Sequence, residues 1–253
     1  MERALTDETP VLSIVIPVYN ELDTWRDLLG RVERADLPQA RKQIILVDDG
    51  SSDGTSEQLR ALAAEIGAGG VAEEIDYRVI YHEGNRGKGA ALRTGFAAAT
   101  GDFVVVQDAD LEYDPADYPA LLEPLLTRRT RVVYGSRFLN RRPRGGYLKN
   151  YLANRFLTWL SNRMTGQRLT DMETCYKMFR REVIQGLDLR QDRFGFEPEV
   201  TARLAAAGET IVEVPIRYAP RTDVQGKKIG FADGLEAIAC ILKYRTRFRC
   251  GRR

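Results

Sequence analysis

The sequence predicts an α/β protein with a mostly parallel central sheet flanked by helices. Short apolar runs typical of buried strands alternate with longer segments in which apolar residues recur at helical spacing. This alternation favours parallel strands joined by right-handed crossovers. Clusters of polar residues directly follow several of the strand-like runs, which places them at the carboxyl edge of the sheet, where ligands bind in open α/β proteins.

In the first half of the chain, each strand-like run leads through a turn into a helical segment. The expected strands are the runs VLSIVIPV, QIILV, YRVIY and FVVV, at residues 11–18, 43–47, 77–81 and 103–106. The expected helices lie between them, at residues 22–35, 53–66 and 90–99. Ser52 or Asp53 is the expected N-cap of the second helix, because short polar side chains accept hydrogen bonds from the free N–H groups at a helix start.

The second half alternates less regularly. Strands are expected at residues 132–134 and 210–217, and helices at 147–164, 181–186 and 233–249, with a further helix that starts within 194–199 and runs through 207. Loops at 140–146 and 226–229 carry glycine with arginine or lysine. No internal repeat, low-complexity tract or linker interrupts the chain, so we expect one domain over residues 1–253.

Composition excludes several classes of protein. The 253 residues are 43% hydrophobic and 29% charged, with a net charge of +2, which is typical of a globular protein with a full core. Basic residues concentrate in 128–168 and 243–253, which favours a local anionic partner over a nucleic-acid-coating surface. The 3 cysteines (Cys175, Cys240 and Cys250) are widely spaced and predict reduced thiols. No signal peptide or membrane span is expected.

Two aspartates at the end of the fourth strand are candidate metal ligands. Asp108 and Asp110 are separated by one residue, so an extended chain directs both carboxylates to the same side. Two anionic oxygen ligands suit Mg²⁺ or Mn²⁺ with positions left open for substrate phosphates. An acidic turn without a metal is the alternative.

The segment Asn85 to Gly89 (NRGKG) is a candidate anion site at the start of a helix. Its glycines allow close backbone approach, and helix N-termini bind anions, although the spacing excludes a Walker A loop. A structural turn is the alternative. His82 is the sole histidine, which disfavours a mechanism built on a histidine base.

Five motifs occur in an order and spacing that resemble family 2 glycosyltransferases. They are PVYNE at 17–21, VDDGSSDGT at 47–55, NRGKGAALRTG at 85–95, DAD at 108–110 and GSRF at 135–138. The chain is most similar to the dolichol-phosphate mannosyltransferase and polyprenyl-phosphate glycosyltransferase branch. This resemblance, which runs from about residue 11 to 230, implies the GT-A fold with a Rossmann-like nucleotide-binding half. It also implies a nucleotide-sugar donor, a divalent metal on the DAD motif and inversion at the anomeric carbon.

The resemblance also implies roles for residues of the nucleotide-sugar site. Pro17, Tyr19 and Glu21 would border the nucleoside, and Asp49 would accept a hydrogen bond from an N–H of the base. Lys88 joins the nucleotide-sugar-binding set. By the same resemblance the donor half is about 11–112, the acceptor half about 113–230 and a basic amphipathic helix 231–253.

Further roles implied by the resemblance concern the metal and the phosphates. Asp108 would lie near the ribose or the metal, Asp110 would ligate the metal, and Glu112 would be a third ligand where relatives often carry glutamine. Arg137 would face the acceptor phosphate or the donor diphosphate and, with Asp110, is the expected catalytic pair. Three basic residues lie in a loop that closes over the phosphates in relatives: Arg221, Lys227 and Lys228.

The segment LTDMETCYKMF (169–179) departs from the eukaryotic mannosyltransferase pattern and looks like a bacterial subgroup with varied donor sugars. A hydroxyl acceptor needs a positioned base, whereas a phosphate monoester, with a second pKa of about 6, is already nucleophilic at neutral pH. We therefore favour a phosphate acceptor, with Asp171 and Glu173 as acceptor-side residues. The alternative is a hydroxyl acceptor, with a carboxylate as the base: Asp171, Glu173, Glu197 or Glu199.

Two helices are candidates for membrane contact. The helix at 147–164 has Leu148, Tyr151, Leu152, Phe156, Trp159 and Leu160 on one broad side, with basic residues elsewhere. The terminal helix combines apolar residues with arginines in the same manner. An interfacial helix inserts its apolar face into lipid while Arg and Lys meet anionic headgroups. A core helix with a solvated face is the alternative.

The sequence thus predicts an inverting, metal-dependent glycosyltransferase that uses a GDP- or UDP-linked sugar and a polyprenyl or dolichyl phosphate. We expect it in the cytoplasm, peripheral on the cytoplasmic face of an anionic membrane, with no nucleic-acid partner and with a homo-oligomer left open. Transfer to a saccharide or protein hydroxyl, and an inactive nucleotide-sugar-binding module, are the competing hypotheses.

Overall fold

The computed structural model describes residues 9–70, 74–139, 148–220 and 231–244. Its strands are β1 (Val11–Val18), β2 (Arg41–Asp48), β3 (Asp76–Tyr81), β4 (Phe103–Val106), β5 (Val132–Ser136), β6 (Lys177–Arg180) and β7 (Ile211–Pro215). Its helices are α1 (Trp25–Arg34), α2 (Thr55–Gly67), α3 (Lys88–Ala98), α4 (Tyr118–Leu126), α5 (Leu148–Thr165), α6 (Arg181–Gln185), α7 (Phe196–Ala206) and α8 (Phe231–Lys243). A short 3₁₀ turn at Pro115–Asp117 precedes α4.

The described strands form one seven-stranded sheet in the order β3-β2-β1-β4-β6-β5-β7. Strand β1 pairs in parallel with β2 and β4, and β5 pairs in parallel with β7. Strand β6 is antiparallel to both β4 and β5. Because β4 and β5 both oppose β6, all strands except β6 run in one direction, which confirms the expected mostly parallel α/β fold.

The apolar residues of the inner strands are mostly buried, as the sequence predicts. All four residues of β4, FVVV, are buried, because a central parallel strand covered by helices has no solvent face. Helix α3 crosses β1 closely enough that a side chain at Gly95 would collide with Val15, which explains a glycine inside a helix. One apolar core runs through both halves of the sheet.

Two elements were not predicted from the sequence. Helix α4 packs on β5 and β6, and strand β6 lies inside the sheet between β4 and β5. The KMFR sequence of β6 lacks a β-branched run and begins with Lys177, a fully buried lysine. The tertiary environment, which pairs the lysine internally, outweighs the poor strand signal.

Other elements occur where the sequence predicts them, with ends shifted by a few residues. The predicted loops at 140–146 and 226–229, and Cys250, lie outside the described residues. Cys175 and Cys240 are free and buried, as reduced thiols are expected to be.

Candidate active site

The polar segments that follow the strands meet at one edge of the sheet. Strands β1, β2, β4, β5 and β7 end at this edge, and the antiparallel β6 begins there. The loop after β1 is joined to the loop after β2, because the Asn20 N–H donates to Ser51 Oγ (3.0 Å) and Asn20 Oδ1 accepts from Ser52 N–H (2.8 Å). Asn20 holds a left-handed backbone (φ 51°), a conformation that asparagine tolerates better than most residues. Tyr19 is exposed in this loop, and Pro17 and Glu21 are partly buried beside it.

Asp49 is buried at the end of β2, where its carboxylate binds the loop before α3. Its oxygens accept hydrogen bonds from the backbone N–H groups of Arg86 (3.0 Å) and Gly87 (2.7 Å). His82 Nδ1 lies 2.7 Å from Asp49 Oδ1, and His82 Nε2 lies 2.9 Å from Thr94 Oγ1. The anion held beside the start of α3 is therefore a carboxylate of the protein. These contacts occupy both Asp49 oxygens, and its expected contact with a base stays a prediction.

The glycines of the NRGKG segment serve chain packing. A side chain at Gly87 or Gly89 would collide with the backbone of residues 191–192, and Gly87 has a left-handed φ of 99°. Close packing of this turn against residues 191–192 therefore explains both glycines without a bound anion.

Lys88, the first residue of α3, joins the two halves of the site. Its Nζ lies 2.9 Å from Asp108 Oδ1 and 3.1 Å from Glu197 Oε1, with 19% of the side chain exposed. Burial alone would lower the pKa of Lys88, but the carboxylates of Asp108 and Glu197 raise that pKa well above its usual value. A permanently charged ammonium group therefore lies beside the DAD motif.

Asp108, Asp110 and Glu112 follow β4 in a strained turn. Leu111 adopts a left-handed backbone (φ 64°), which is uncommon for a branched residue and is found at functional sites. Asp110 Oδ1 accepts from the Glu112 N–H (3.2 Å), and Glu112 Oε2 accepts from the Tyr218 hydroxyl (2.9 Å).

The donor set of this turn fits a divalent cation in part. In the described ranges, no three His, Cys, Asp or Glu side chains gather as a preformed metal site. Asp108 and Asp110 nevertheless supply hard carboxylate oxygens at the strand end, which is the chemistry that Mg²⁺ and Mn²⁺ require when substrate phosphates complete the coordination.

Arg137, just after β5, is held in a buried ion pair. Its Nε and Nη2 each lie 2.7 Å from an oxygen of Asp171, and its backbone N–H donates to Asp171 Oδ2 (3.0 Å). The Arg137 guanidinium also lies 5.1 Å from the centroid of the Tyr218 ring. Asp171 is fully buried, and its carboxylate is already engaged by two guanidinium hydrogen bonds and one backbone N–H of Arg137. This geometry weighs against Asp171 as a base.

Glu173 has a different environment from Asp171. It is partly buried, and its Oε1 is shielded from solvent with no hydrogen-bond partner among the described residues. Burial, and then the Glu197 carboxylate, raise the pKa of Glu173 to about 8. Nearby Lys177 donates to the carbonyls of Met172 and Thr174, and its Nζ lies 4.7 Å from the centroid of the Tyr134 ring.

Two further acidic residues named from the sequence have clear partners. Glu197 pairs with Lys88, and Glu199 is fully buried and accepts from the backbone N–H groups of Arg190 and Gln191. Glu199 therefore stabilises the loop before α7. Arg221, Lys227 and Lys228, the expected phosphate-closing residues, lie outside the described residues.

Sequence reasoning missed Tyr218 and the pairing of Glu197 with Lys88. The Tyr218 hydroxyl donates to Glu112 and its ring contacts the Arg137 guanidinium, so Tyr218 connects the turn after β4 to Arg137. Its one sequence signal is its position shortly after the last strand, where a polar aromatic residue is expected at the carboxyl edge.

Helix α5 presents an apolar stripe to solvent. Leu152, Phe156 and Trp159 are 57%, 50% and 60% exposed, while Leu157 and Ser161 face the core. The broad aromatic side predicted from the sequence is thus largely the outer face. On α8, which packs against α5, Leu235 and Leu242 are exposed and Ile241 is buried. None of the helices within the described ranges has the length and apolar character to cross a membrane.

Comparisons with known proteins agree with this geometry. A family model described as "Glycosyl transferase family 2" matches residues 13–187. An undecaprenyl-phosphate mannosyltransferase from Micrococcus luteus is 31% identical over 241 residues, which cover 91% of this chain and 92% of that protein. An undecaprenyl-phosphate 4-deoxy-4-formamido-L-arabinose transferase from Edwardsiella ictaluri is 31% identical over 217 residues, 85% of this chain and 62% of that protein, so the chain spans less than two thirds of its length.

A solved structure extends the likeness to the fold. Glucosyl-3-phosphoglycerate synthase from Mycobacterium tuberculosis, in complex with Mn²⁺, UDP and glucosyl-3-phosphoglycerate, aligns with a TM-score of 0.65 and 25% identity, covering 93% of this chain and 80% of that chain. The fold is GT-A, and the resemblance stated from the five motifs is confirmed. The chain belongs to glycosyl transferase family 2 and is a glycosyltransferase.

Proposed function

We propose that this chain is an inverting, metal-dependent transferase that moves a sugar from a GDP- or UDP-linked donor to a polyprenyl or dolichyl phosphate at a membrane surface. The observation that carries the proposal is that the DAD turn and two partly buried cations, Lys88 and Arg137, lie at one edge of the sheet. The relatives named for undecaprenyl phosphate support the same acceptor class.

The donor is assigned to the side of the edge formed by the loops after β1, β2 and β4. Tyr19, with Pro17 and Glu21, borders the nucleoside there, and Lys88 contributes positive charge for the diphosphate. Asp108 and Asp110, with Glu112 beside them, would hold Mg²⁺ or Mn²⁺, which neutralises charge on a departing diphosphate. The structural neighbour that carries Mn²⁺ with UDP supports a divalent ion, without deciding between the two metals.

The acceptor is assigned to the side that carries Arg137. An ionised phosphate oxygen forms the new bond to the anomeric carbon while the bond to the diphosphate breaks, and the bonding electrons leave with the nucleoside diphosphate. No proton has to be removed, so the reaction needs cations that orient two anions more than it needs a base. The engagement of Asp171 by Arg137 supports this acceptor over a hydroxyl.

The exposed face of α5 supports action at a membrane. Its stripe of Leu152, Phe156 and Trp159 lies beside the exposed cations Arg155 and Arg163, the arrangement that interfacial helices use on anionic lipid. The helix begins shortly after Arg137 in the chain, which would bring an isoprenoid tail and its phosphate to neighbouring surfaces. We assign the enzyme to the cytoplasmic face, where nucleotide sugars are expected.

Transfer to a hydroxyl is the second candidate. The structural neighbour is bound to glucosyl-3-phosphoglycerate, so a small phosphorylated acceptor is compatible with this fold. Glu173 is the remaining acidic candidate for a base in that reaction.

The test is a transfer assay with GDP- and UDP-sugars against three acceptors: polyprenyl phosphate in vesicles, a free saccharide and 3-phosphoglycerate. We expect transfer to polyprenyl phosphate, its loss in excess chelator, and its loss in Asp110→Asn, which removes one ligand charge. The matched control is Asp27→Asn on the exposed face of α1, which should transfer as the wild type does. Faster transfer to a soluble acceptor, or full activity in chelator, would refute the proposal.

A further inference from the structure

Glu173 lies where the acceptor phosphate is expected. It belongs to the loop between α5 and β6, and β6 begins at the edge where β4 and β5 end. Glu173 therefore lies at that edge, within electrostatic range of Arg137, which follows β5. The electrostatic neighbours of its carboxyl group are Glu197, Lys177, Arg137 and Asp171.

The cations around Glu173 are already committed to other groups. Arg137 forms a bidentate ion pair with Asp171. Lys177 donates to two backbone carbonyls and lies over the Tyr134 ring. The two remaining neighbours, Glu197 and Asp171, are carboxylates. Because Oε1 of Glu173 is shielded from solvent without a hydrogen bond from the described residues, an ionised carboxyl group would leave negative charge unsatisfied there.

We propose that Glu173 keeps its proton in the folded enzyme and donates a hydrogen bond to an anionic phosphate oxygen of the acceptor. It is a positioning residue for the phosphate, and the inference rests on the proposed function. A protonated carboxyl group offers a donor without positive charge, whereas the ionised form would repel the phosphate. The elevated pKa of about 8 caused by burial and by Glu197 agrees with a neutral group at pH 7.

The first test is the pH dependence of the KM for polyprenyl phosphate between pH 7 and 9. The acceptor phosphate, with a second pKa of about 6, is already about 90% ionised at pH 7, so its own titration changes the KM by only about a tenth over this range. Ionisation of Glu173 should raise the acceptor KM of the wild type by about tenfold from pH 7 to pH 9, as expected for one group that titrates near pH 8.

Two variants assign that change to Glu173. Glu173→Gln keeps an N–H donor and cannot titrate, so its acceptor KM should stay level across the range. Glu173→Ala loses the donor, so its acceptor KM should be raised on the order of tenfold at pH 7, with glutamine closer to the wild type. A rise in KM that is the same in wild type and Glu173→Gln would overturn the proposal. A turnover number that increases through pH 8 in the wild type but not in the Glu173 variants would also overturn the proposal, because that result identifies Glu173 as a base.

The second test needs no substrate. A glutamate in the unfolded chain ionises near pH 4.5, whereas Glu173 in the folded protein is expected to ionise near pH 8. The folded state therefore binds more protons in this window, and the free energy of unfolding should fall as pH rises from 4.5 to about 8. Glu173→Gln should remove that part of the slope, and equal slopes in the two proteins would show that Glu173 is ionised.

The two tests separate failure of this inference from failure of the proposed function. If the wild type transfers no sugar to lipid phosphate at any pH, the acceptor class is wrong, and the ligand assigned to Glu173 is wrong with it. If transfer occurs and Glu173→Gln behaves as the wild type in both tests, the proposed function stands and the role of Glu173 is wrong.

Discussion

Asp171 and Glu173 lie two residues apart in the chain, yet their carboxyl groups have opposite environments. Asp171 receives three hydrogen bonds from Arg137, two from the guanidinium and one from the backbone N–H. Glu173 is surrounded by other carboxylates and by cations that bind elsewhere, which favours the neutral form. A carboxyl group therefore serves as a structural counter-ion at one position and, in our proposal, as a neutral hydrogen-bond donor at the other.

Replacing Asp171 tests its structural role. Asp171→Ala should lower the free energy of unfolding by about 3–5 kcal/mol, because it leaves the buried Arg137 guanidinium without a partner. Denaturant unfolding measures this change. Asp27→Ala, which breaks an exposed pair with Arg31, should change stability by at most about 1 kcal/mol. An Asp171→Ala protein as stable as the wild type but with no turnover would identify Asp171 as a base instead.

At the scale of single elements, α5 has two faces that the sequence pattern does not distinguish. Its buried side carries small and polar residues such as Thr158 and Ser161, while Phe156 and Trp159 point outward. A core helix would bury the large aromatic residues first, since they contribute most to apolar burial. The reversed arrangement supports the proposal that this face of α5 contacts a membrane surface.

A charge on that face should weaken membrane binding without unfolding the protein. Trp159→Glu should reduce binding to anionic vesicles on the order of tenfold, because one large apolar contact is lost and a repelling charge is added. Sedimentation with vesicles at low and high salt measures this change, and high salt should weaken the wild type as well. Ala64→Glu, at an exposed site on α2, adds the same charge elsewhere and should bind as the wild type does. Equal binding by all three proteins would exclude α5 as the contact.

At the scale of the whole molecule, one sheet carries residues of both the proposed donor side and the proposed acceptor side. Lys88 at the start of α3, Asp108 after β4 and Glu197 in α7 meet across that edge, so the two sides share one charge network. A ligand that binds at this edge is expected to stabilise the whole fold.

Nucleoside diphosphate with metal should therefore raise the melting temperature. At a concentration of a hundred times Kd, binding adds about 2.7 kcal/mol to the free energy of unfolding. For a chain of this size that corresponds to roughly 5–10 °C. Thermal melts with UDP or GDP, each with and without Mn²⁺, measure the effect and show which nucleotide the protein binds. The shift should vanish in chelator and in Asp110→Asn, and a full shift in chelator would contradict the metal assignment.

The sequence by itself determined the features that depend on local pattern. Strands β1 to β4 and helices α1 to α3 follow from apolar periodicity, and the DAD turn follows from its position after a buried strand. Because parallel strands end at a common edge, the sequence also predicted that the candidate site residues lie at that edge.

The tertiary structure decided which charged groups meet. The pairs Lys88–Glu197 and Arg137–Asp171, and the contact of Tyr218 with Glu112, join residues 109, 34 and 106 positions apart. It also decided the place of β6, whose buried Lys177 gives no strand signal. Such contacts depend on the path of the whole chain, and burial then sets the charge of each group, so neither spacing nor composition contains them.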